Sequence, residues 1–169
     1  PFPRGTLSRR RPRASRQAIP GIEPHPRTPN GLQPPCYDVL VVRLPGTNEH
    51  VEARRLLERA PADLDLAVEA PQVEALLCLA ELLHQWGSRI NLTGHKTLSA
   101  TLTGLVIESM ALTSVLPNVS SLADIGSGAG FPGLPIAILR PDCSVTLVEA
   151  RRRRHHFQKA AIRELGLEN

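Results

Sequence analysis

The residues with the most chemistry in them form the stretch DIGSGAGFPG at 124–133. Gly126, Gly128 and Gly130 carry no Cβ where an apolar run, 121–125, gives way to a helical pattern. A bound molecule can therefore approach the main chain, and the helix that follows aims free N–H groups toward it. Ser127, Ala129 and Phe131 alternate with these glycines and are expected to line the same ligand. A second acid, Glu149, ends the next apolar run, 23 residues after Gly126. In a strand–turn–helix–strand unit a carboxylate at that place reaches ribose hydroxyls.

The details choose among nucleoside ligands. A dinucleotide fingerprint reads G-x-G-x-x-G, its third glycine serving helix–strand packing. Here that third position is Phe131 and the spacing is G-x-G-x-G. Asp124 stands two residues before the first glycine, where a carboxylate repels a pyrophosphate and attracts an ammonium group. S-adenosyl-L-methionine has an ammonium, a sulfonium and no phosphate. The residues favour it as cofactor, and a nicotinamide-dependent oxidoreductase is the competing reading.

The elements that must position these groups are legible from the hydrophobic period. The pattern predicts a buried strand over 121–125, a helix over 132–139, a turn at Pro141-Asp142, a second buried strand over 144–149 and a helix over 151–165 ended by Gly166. That is a βαβα unit with a parallel sheet, so the fold class is α/β. Ahead of it the period is helical. One helix starts at Asn48 and stops at Pro61, with Val51, Leu56 and Leu57 inward and Arg54, Arg55 and Arg59 outward. A second follows Pro71, buries Val73, Leu76, Leu77, Ala80, Leu83 and Trp86, and ends at Gly87. A third spans 98–116, with Leu102, Leu105, Val106, Ser109 and Leu112 as its inner face. A polar connection at 88–94 holds Arg89 and Asn91. These two are read either as lining a substrate entrance or as a structural turn.

Composition bounds the rest. Of 169 residues, 41% are apolar, enough for a sizeable core, and only 3% are aromatic, too few for base stacking to dominate a nucleic-acid contact. The net charge of +4 is a property of one end. Residues 1–35 hold seven arginines and a single acid, Glu23, so the rest of the chain is slightly acidic. A high isoelectric point is then no argument for RNA binding by the folded part. That Pro- and Arg-rich end is expected to be a disordered tail, and CYDVLVVRLPG at 36–46 a short strand or an apolar patch. Cys36, Cys78 and Cys143 are odd in number and far apart, which reads as reduced thiols in a cytosolic protein. No uninterrupted apolar run nears the roughly 20 residues of a membrane span. His155 and His156 are adjacent and face different ways on a helix, so no metal site is expected. The run Arg151-Arg-Arg-Arg154 opens a helix against its dipole, and reads as RNA phosphate contact or as solvated charge.

Taken together, several pieces resemble the glucose-inhibited division protein B family, the guanine-N7 methyltransferases of bacterial small-subunit ribosomal RNA. They are Trp86-x-x-x-x-Asn91-Leu-Thr93, Glu108-Ser109, the whole of 124–135, Arg140-Pro141, Glu149 with its basic turn and Phe157, and the closing 164–169. The family often has Asp-Ser where this chain has Glu108-Ser109. The resemblance implies a Rossmann-like S-adenosylmethionine-dependent methyltransferase. Its cofactor residues would be Asp124, Gly126, Ser127, Gly128, Ala129, Gly130, Phe131 and Glu149, and Arg89, Asn91 and Arg151 would lie near substrate. It also implies a small-subunit ribosomal RNA or ribosomal-subunit partner, a cytoplasmic monomer and no membrane. The organisation expected is a tail over 1–46, helices over 47–117 and, over 118–169, the first part of a methyltransferase domain that continues further in the family. A non-catalytic fragment with weak RNA binding and a methyltransferase for another substrate are the alternative outcomes. N7 of guanine has a free lone pair and needs no deprotonation, so no catalytic base is expected.

Overall fold

The computed structural model describes residues 48–87 and 92–169. The expectations placed on 1–46, and those on Arg89 and Asn91, fall outside the described residues. Helix α1, Asn48–Asp63, buries Ala53, Leu57 and Ala60, one side at i, i+4 and i+7. Val51, expected inside, is exposed. The small alanines form the close-approach face instead. Pro61 lies within the helix and does not stop it, because Leu64 N–H still reaches the Ala60 carbonyl at 3.1 Å.

Helix α2, Ala70–Gly87, is the centre of the core. It buries residues on every side, among them Leu76, Leu77, Leu79, Leu82 and Leu83. Pro71 falls in its first turn, where a missing N–H costs nothing. The partly buried Trp86 packs edge-to-face on Phe157, ring centroids 5.6 Å apart. Cys78, in this helix, is disulfide-bonded, and Cys143 is free and buried. For Cys78 that corrects the expectation of a reduced thiol.

The third helix is one continuous helical segment in three parts. Helix α3 is Leu98–Thr101, a π-helical stretch is Leu102–Ile107, and helix α4 is Glu108–Val115. Its start is capped twice. Thr97 Oγ1 accepts from Ala100 N–H at 3.1 Å, and Glu49 Oε1, from α1, accepts from Leu98 N–H at 2.9 Å. Met110 and Thr113 are buried in line with Leu102 and Val106, and Leu112, expected inside, is 40% exposed. By length and composition Leu98–Val115 is long and apolar enough to cross a membrane, although its apolar run is interrupted. The Ser and Thr residues that break its apolar run satisfy their hydroxyls on the helix's own carbonyls: Thr101 on Thr97, Thr103 on Ser99, Ser109 on Leu105 and Thr113 on Ser109. In the fold its inner residues Leu98, Leu102, Val106 and Met110 belong to the hydrophobic core.

The rest is a β-α-β-α unit. Strand β1 is Ser121–Ile125, helix α5 Gly133–Leu139, strand β2 Ser144–Val148 and helix α6 Arg152–Leu165. The strands are parallel and in register from Ser121 opposite Ser144 to Ile125 opposite Val148. The sequence expects both strands to be buried, yet exposure alternates along each. Leu122, Asp124, Val145 and Leu147 are partly covered, while Ile125 and Val148 are 75% and 45% exposed. Among the described residues one face of the sheet is covered and the other is not. Helix α6 ends on Gly166, left-handed at φ 64°, with Leu167 N–H returning to the Ile162 carbonyl.

The helices ahead of the sheet and the β-α-β-α unit share one contiguous core, from Leu57 and Leu76 to Ile138, Phe157 and Leu165. A buried and a part-buried amide fasten it. Gln72 in α2 donates to the carbonyls of Ile138 and Leu139 at the end of α5, at 3.0 and 3.2 Å. Asn169 donates to the carbonyls of Ala137, Arg140 and Cys143, fixing the chain after α6 against the α5–β2 turn.

Candidate functional site

The glycine stretch turns at the carboxyl ends of the two parallel strands. Gly126 and Ser127 both donate main-chain N–H groups to the Val148 carbonyl, at 2.8 and 3.1 Å, which fastens the turn to β2. The Ser127 carbonyl accepts from Gly130 and Phe131, at 2.7 and 3.1 Å, closing the turn on itself. Gly126, Gly128 and Gly130 all have positive φ, at 80°, 59° and 88°. A Cβ added at Gly126 would meet nothing within 4 Å, so the main chain is open there to an approaching ligand.

Gly133 has a different use. A Cβ there would overlap Leu147 Cδ2 and come within 2.9 Å of Asp124 Oδ2. It is the point where α5 sits down on the sheet. The helix–strand packing role of the third glycine in a dinucleotide turn, absent at Phe131, is thus filled two residues later. The sequence reading passed over Gly133, although an additional glycine at the start of a helix, where propensity disfavours it, was the available signal.

The two acids occupy neighbouring strand ends. Asp124 Oδ2 accepts from Gly133 N–H at 3.0 Å, capping α5. Burial pushes the Asp124 carboxyl above the usual range, and the Gly133 bond opposes that in part. Glu149 Oε1 accepts from Arg151 N–H at 2.7 Å. That bond holds Glu149 below the usual carboxylate range, against some desolvation. The Gly128 N–H and the charges of Arg154 and Arg151 add to it. Arg154 Nη1 lies 3.8 Å from Glu149 Oε2 and faces Gly128, where an added Cβ would be 3.8 Å from it. The sequence reads Arg154 only as part of the 151–154 run, as RNA phosphate contact or solvated charge, and not as a neighbour of Glu149.

Asp124, Gly126, Gly128 and Glu149 are therefore brought to one edge of the sheet, with the main chain of Arg151 beside them and its side chain exposed. Ser127 and Ala129 are buried, main chain included, and Phe131 packs partly against the core. The sequence reading also missed Gln158. It is 2% exposed and lies on the inner face of α6 with Phe157, Ala161 and Leu165. A polar residue at i, i+3 and i+7 spacing with Ala161 and Leu165 was its signal.

A glycine turn from strand to helix beside a second, parallel strand, with a carboxylate at each strand end, defines an α/β protein whose candidate ligand site lies at the carboxyl edge of its sheet. The model of the GidB family, described as rRNA small subunit methyltransferase G, matches residues 72–169, and the chain belongs to that family. It is 37% identical over 114 residues to a ribosomal RNA small subunit methyltransferase G of Halorhodospira halophila, covering 68% of this chain and 54% of the relative. Proteins of the same name from Chromohalobacter salexigens and Laribacter hongkongensis are 39% and 41% identical. Those matches cover 70% and 67% of this chain and 55% and 54% of the relatives. The chain spans about half the length of the curated relatives it matches.

Proposed function

We propose that the chain carries the S-adenosyl-L-methionine site of a Rossmann-like enzyme that methylates N7 of a guanine in small-subunit ribosomal RNA. The observation that carries this reading is the open main chain at Gly126 and Gly128, set between Asp124 and Glu149 at the carboxyl edge of parallel strands. The site suits a cationic amino-acid nucleoside: acid at both sides and no Cβ in the way at Gly126. When bound, the cofactor supplies an electrophilic methyl group on a sulfonium. Asp124, whose Oδ2 is engaged by Gly133, would offer its other oxygen to the ammonium end, and Glu149 would take the ribose hydroxyls. Main-chain groups of 126–131 would hold the nucleoside between them.

The chain's contribution to rate is orientation, since aligning two reactants accounts for a large part of such a barrier. No residue is assigned as base. Arg151, exposed beside Glu149, and Arg89 and Asn91 in the connection after α2, would meet the RNA. The family's description, rRNA small subunit methyltransferase G, supports the substrate class. The enzyme would act in the cytoplasm as a monomer on the small ribosomal subunit.

The test is methyl transfer from labelled S-adenosyl-L-methionine to small-subunit RNA lacking the modification, with nucleosides separated by mass spectrometry. Labelled 7-methylguanosine is expected. Label in another nucleoside, or only in protein or small molecules, would overturn the substrate assignment.

A further inference from the structure

We infer that Gln158 is the positioning residue of the glycine turn, holding the main chain of 127–128 in register with Glu149. This rests on the proposed cofactor site and adds a residue to it. Gln158 Nε2 donates to Ser127 Oγ at 2.8 Å and to the Gly128 carbonyl at 2.8 Å. Both protons of the amide are thereby directed at adjacent residues of the turn. The side chain is 2% exposed and Ser127 1% exposed, so water does not compete for either bond.

The turn has two anchors. Gly126 and Ser127 N–H groups fix it to β2, and the Gln158 amide fixes it to α6. The second anchor matters because the start of α6 lies beside Glu149: Arg151 N–H and Arg154 both engage that carboxylate. One helix therefore sets the distance between the turn and the acid across from it. Gly128 is left-handed at φ 59°, and its carbonyl direction, which Gln158 holds, fixes which way the neighbouring N–H groups point. An apolar residue of the same length would fill the space but leave the Ser127 hydroxyl and the Gly128 carbonyl without their buried donor.

The experiment compares the whole chain with Gln158→Met, Ser127→Ala and Phe157→Leu. Phe157→Leu alters the adjacent core residue of the same helix and is expected to lower stability without touching the turn. Calorimetric titration of S-adenosyl-L-methionine should show affinity about tenfold weaker for Gln158→Met, about threefold weaker for Ser127→Ala, which keeps the Gly128 bond, and unchanged for Phe157→Leu. In the ligand-free chain, the amides of Gly130 and Phe131 should exchange hydrogen about tenfold faster in Gln158→Met, while those paired between β1 and β2 do not change. If Gln158→Met and Phe157→Leu weaken binding alike and leave exchange in the turn unchanged, Gln158 is only structural and the inference is overturned. If the folded wild-type chain binds no S-adenosyl-L-methionine, the cofactor reading fails. Exchange in the turn still decides Gln158: faster exchange supports the second anchor, and unchanged exchange overturns it.

Discussion

Asp124 and Gly133 are joined across the glycine turn by a hydrogen bond of 3.0 Å, from the first main-chain N–H of α5 to the carboxylate that ends β1. The same acid that would hold a cofactor ammonium thus caps the helix beneath the site, and Gly133 leaves the space in which this happens. Gly133→Ala should push the helix off the strand, because the added Cβ meets Leu147 as well as Asp124. We expect a loss of about 1–3 kcal/mol, typical of overpacking, with cofactor affinity falling alongside it. Thermal unfolding and titration of the variant check this. An unchanged midpoint would show that α5 can shift without cost.

The two acids should part company in pH. Asp124 is raised by burial and Glu149 is lowered by the Arg151 N–H bond. A raised acid contributes stability that is fully present below its ordinary value and lost as pH rises through the raised one, so ionised Asp124 works against the fold at neutral pH. The lowered Glu149 contributes stability above its ordinary value that is lost as pH falls through the lowered one. Cofactor binding needs Asp124 ionised. On acidification from about pH 8 to about pH 4, affinity should begin to fall above the ordinary carboxylate range, while Glu149 is still charged. Asp124→Asn should bind more weakly and show no such fall. A wild-type profile that declines only below the usual range would assign the acid limb elsewhere.

Gln72 ties the helices to the α/β unit by two bonds to carbonyls at the end of α5, and its own Oε1 accepts from Glu69 N–H at 2.9 Å. Gln72→Leu keeps the volume and strands all three partners. It should destabilise the chain by about 1–3 kcal/mol, the cost of buried polar groups left unpaired, as read from the denaturant midpoint. Little or no change would mean that water replaces the amide.

The buried face of the third helix runs through Leu102, Val106 and Met110 at i, i+4 and i+8, and Leu112 lies off it at 40% exposure. Met110→Ala should cost about 2–5 kcal/mol, and Leu112→Asn should stay within about 0.5 kcal/mol. Equal penalties at the two positions would contradict that face.

Much of this architecture is legible in the residues. The strand at 121–125, the helix that begins after Pro132, the strand from Ser144 and the stop at Gly166 each carry a local signal of period, proline or glycine. The acids that end the strands are legible for the same reason, since an acid after an apolar run stands out. What the sequence conceals is relational. Whether the flank of the third helix at Met110 or the one at Leu112 is covered depends on what packs against it. The exposed faces of Ile125 and Val148 depend on what packs over the sheet, and an apolar strand reads alike with one face covered or two. Gln158 and Gln72 look like surface amides until the carbonyls they meet, on elements 30 and 66 residues away, are brought beside them.

The most direct test of the central claim is calorimetric titration of S-adenosyl-L-methionine into the whole chain, with NAD and the Asp124→Ala variant as controls and circular dichroism to confirm folding. Saturable binding by wild type, its loss in Asp124→Ala and no binding of NAD are expected. A folded chain that binds no S-adenosyl-L-methionine, or that binds NAD in its place, would contradict the assignment of the glycine turn between Asp124 and Glu149.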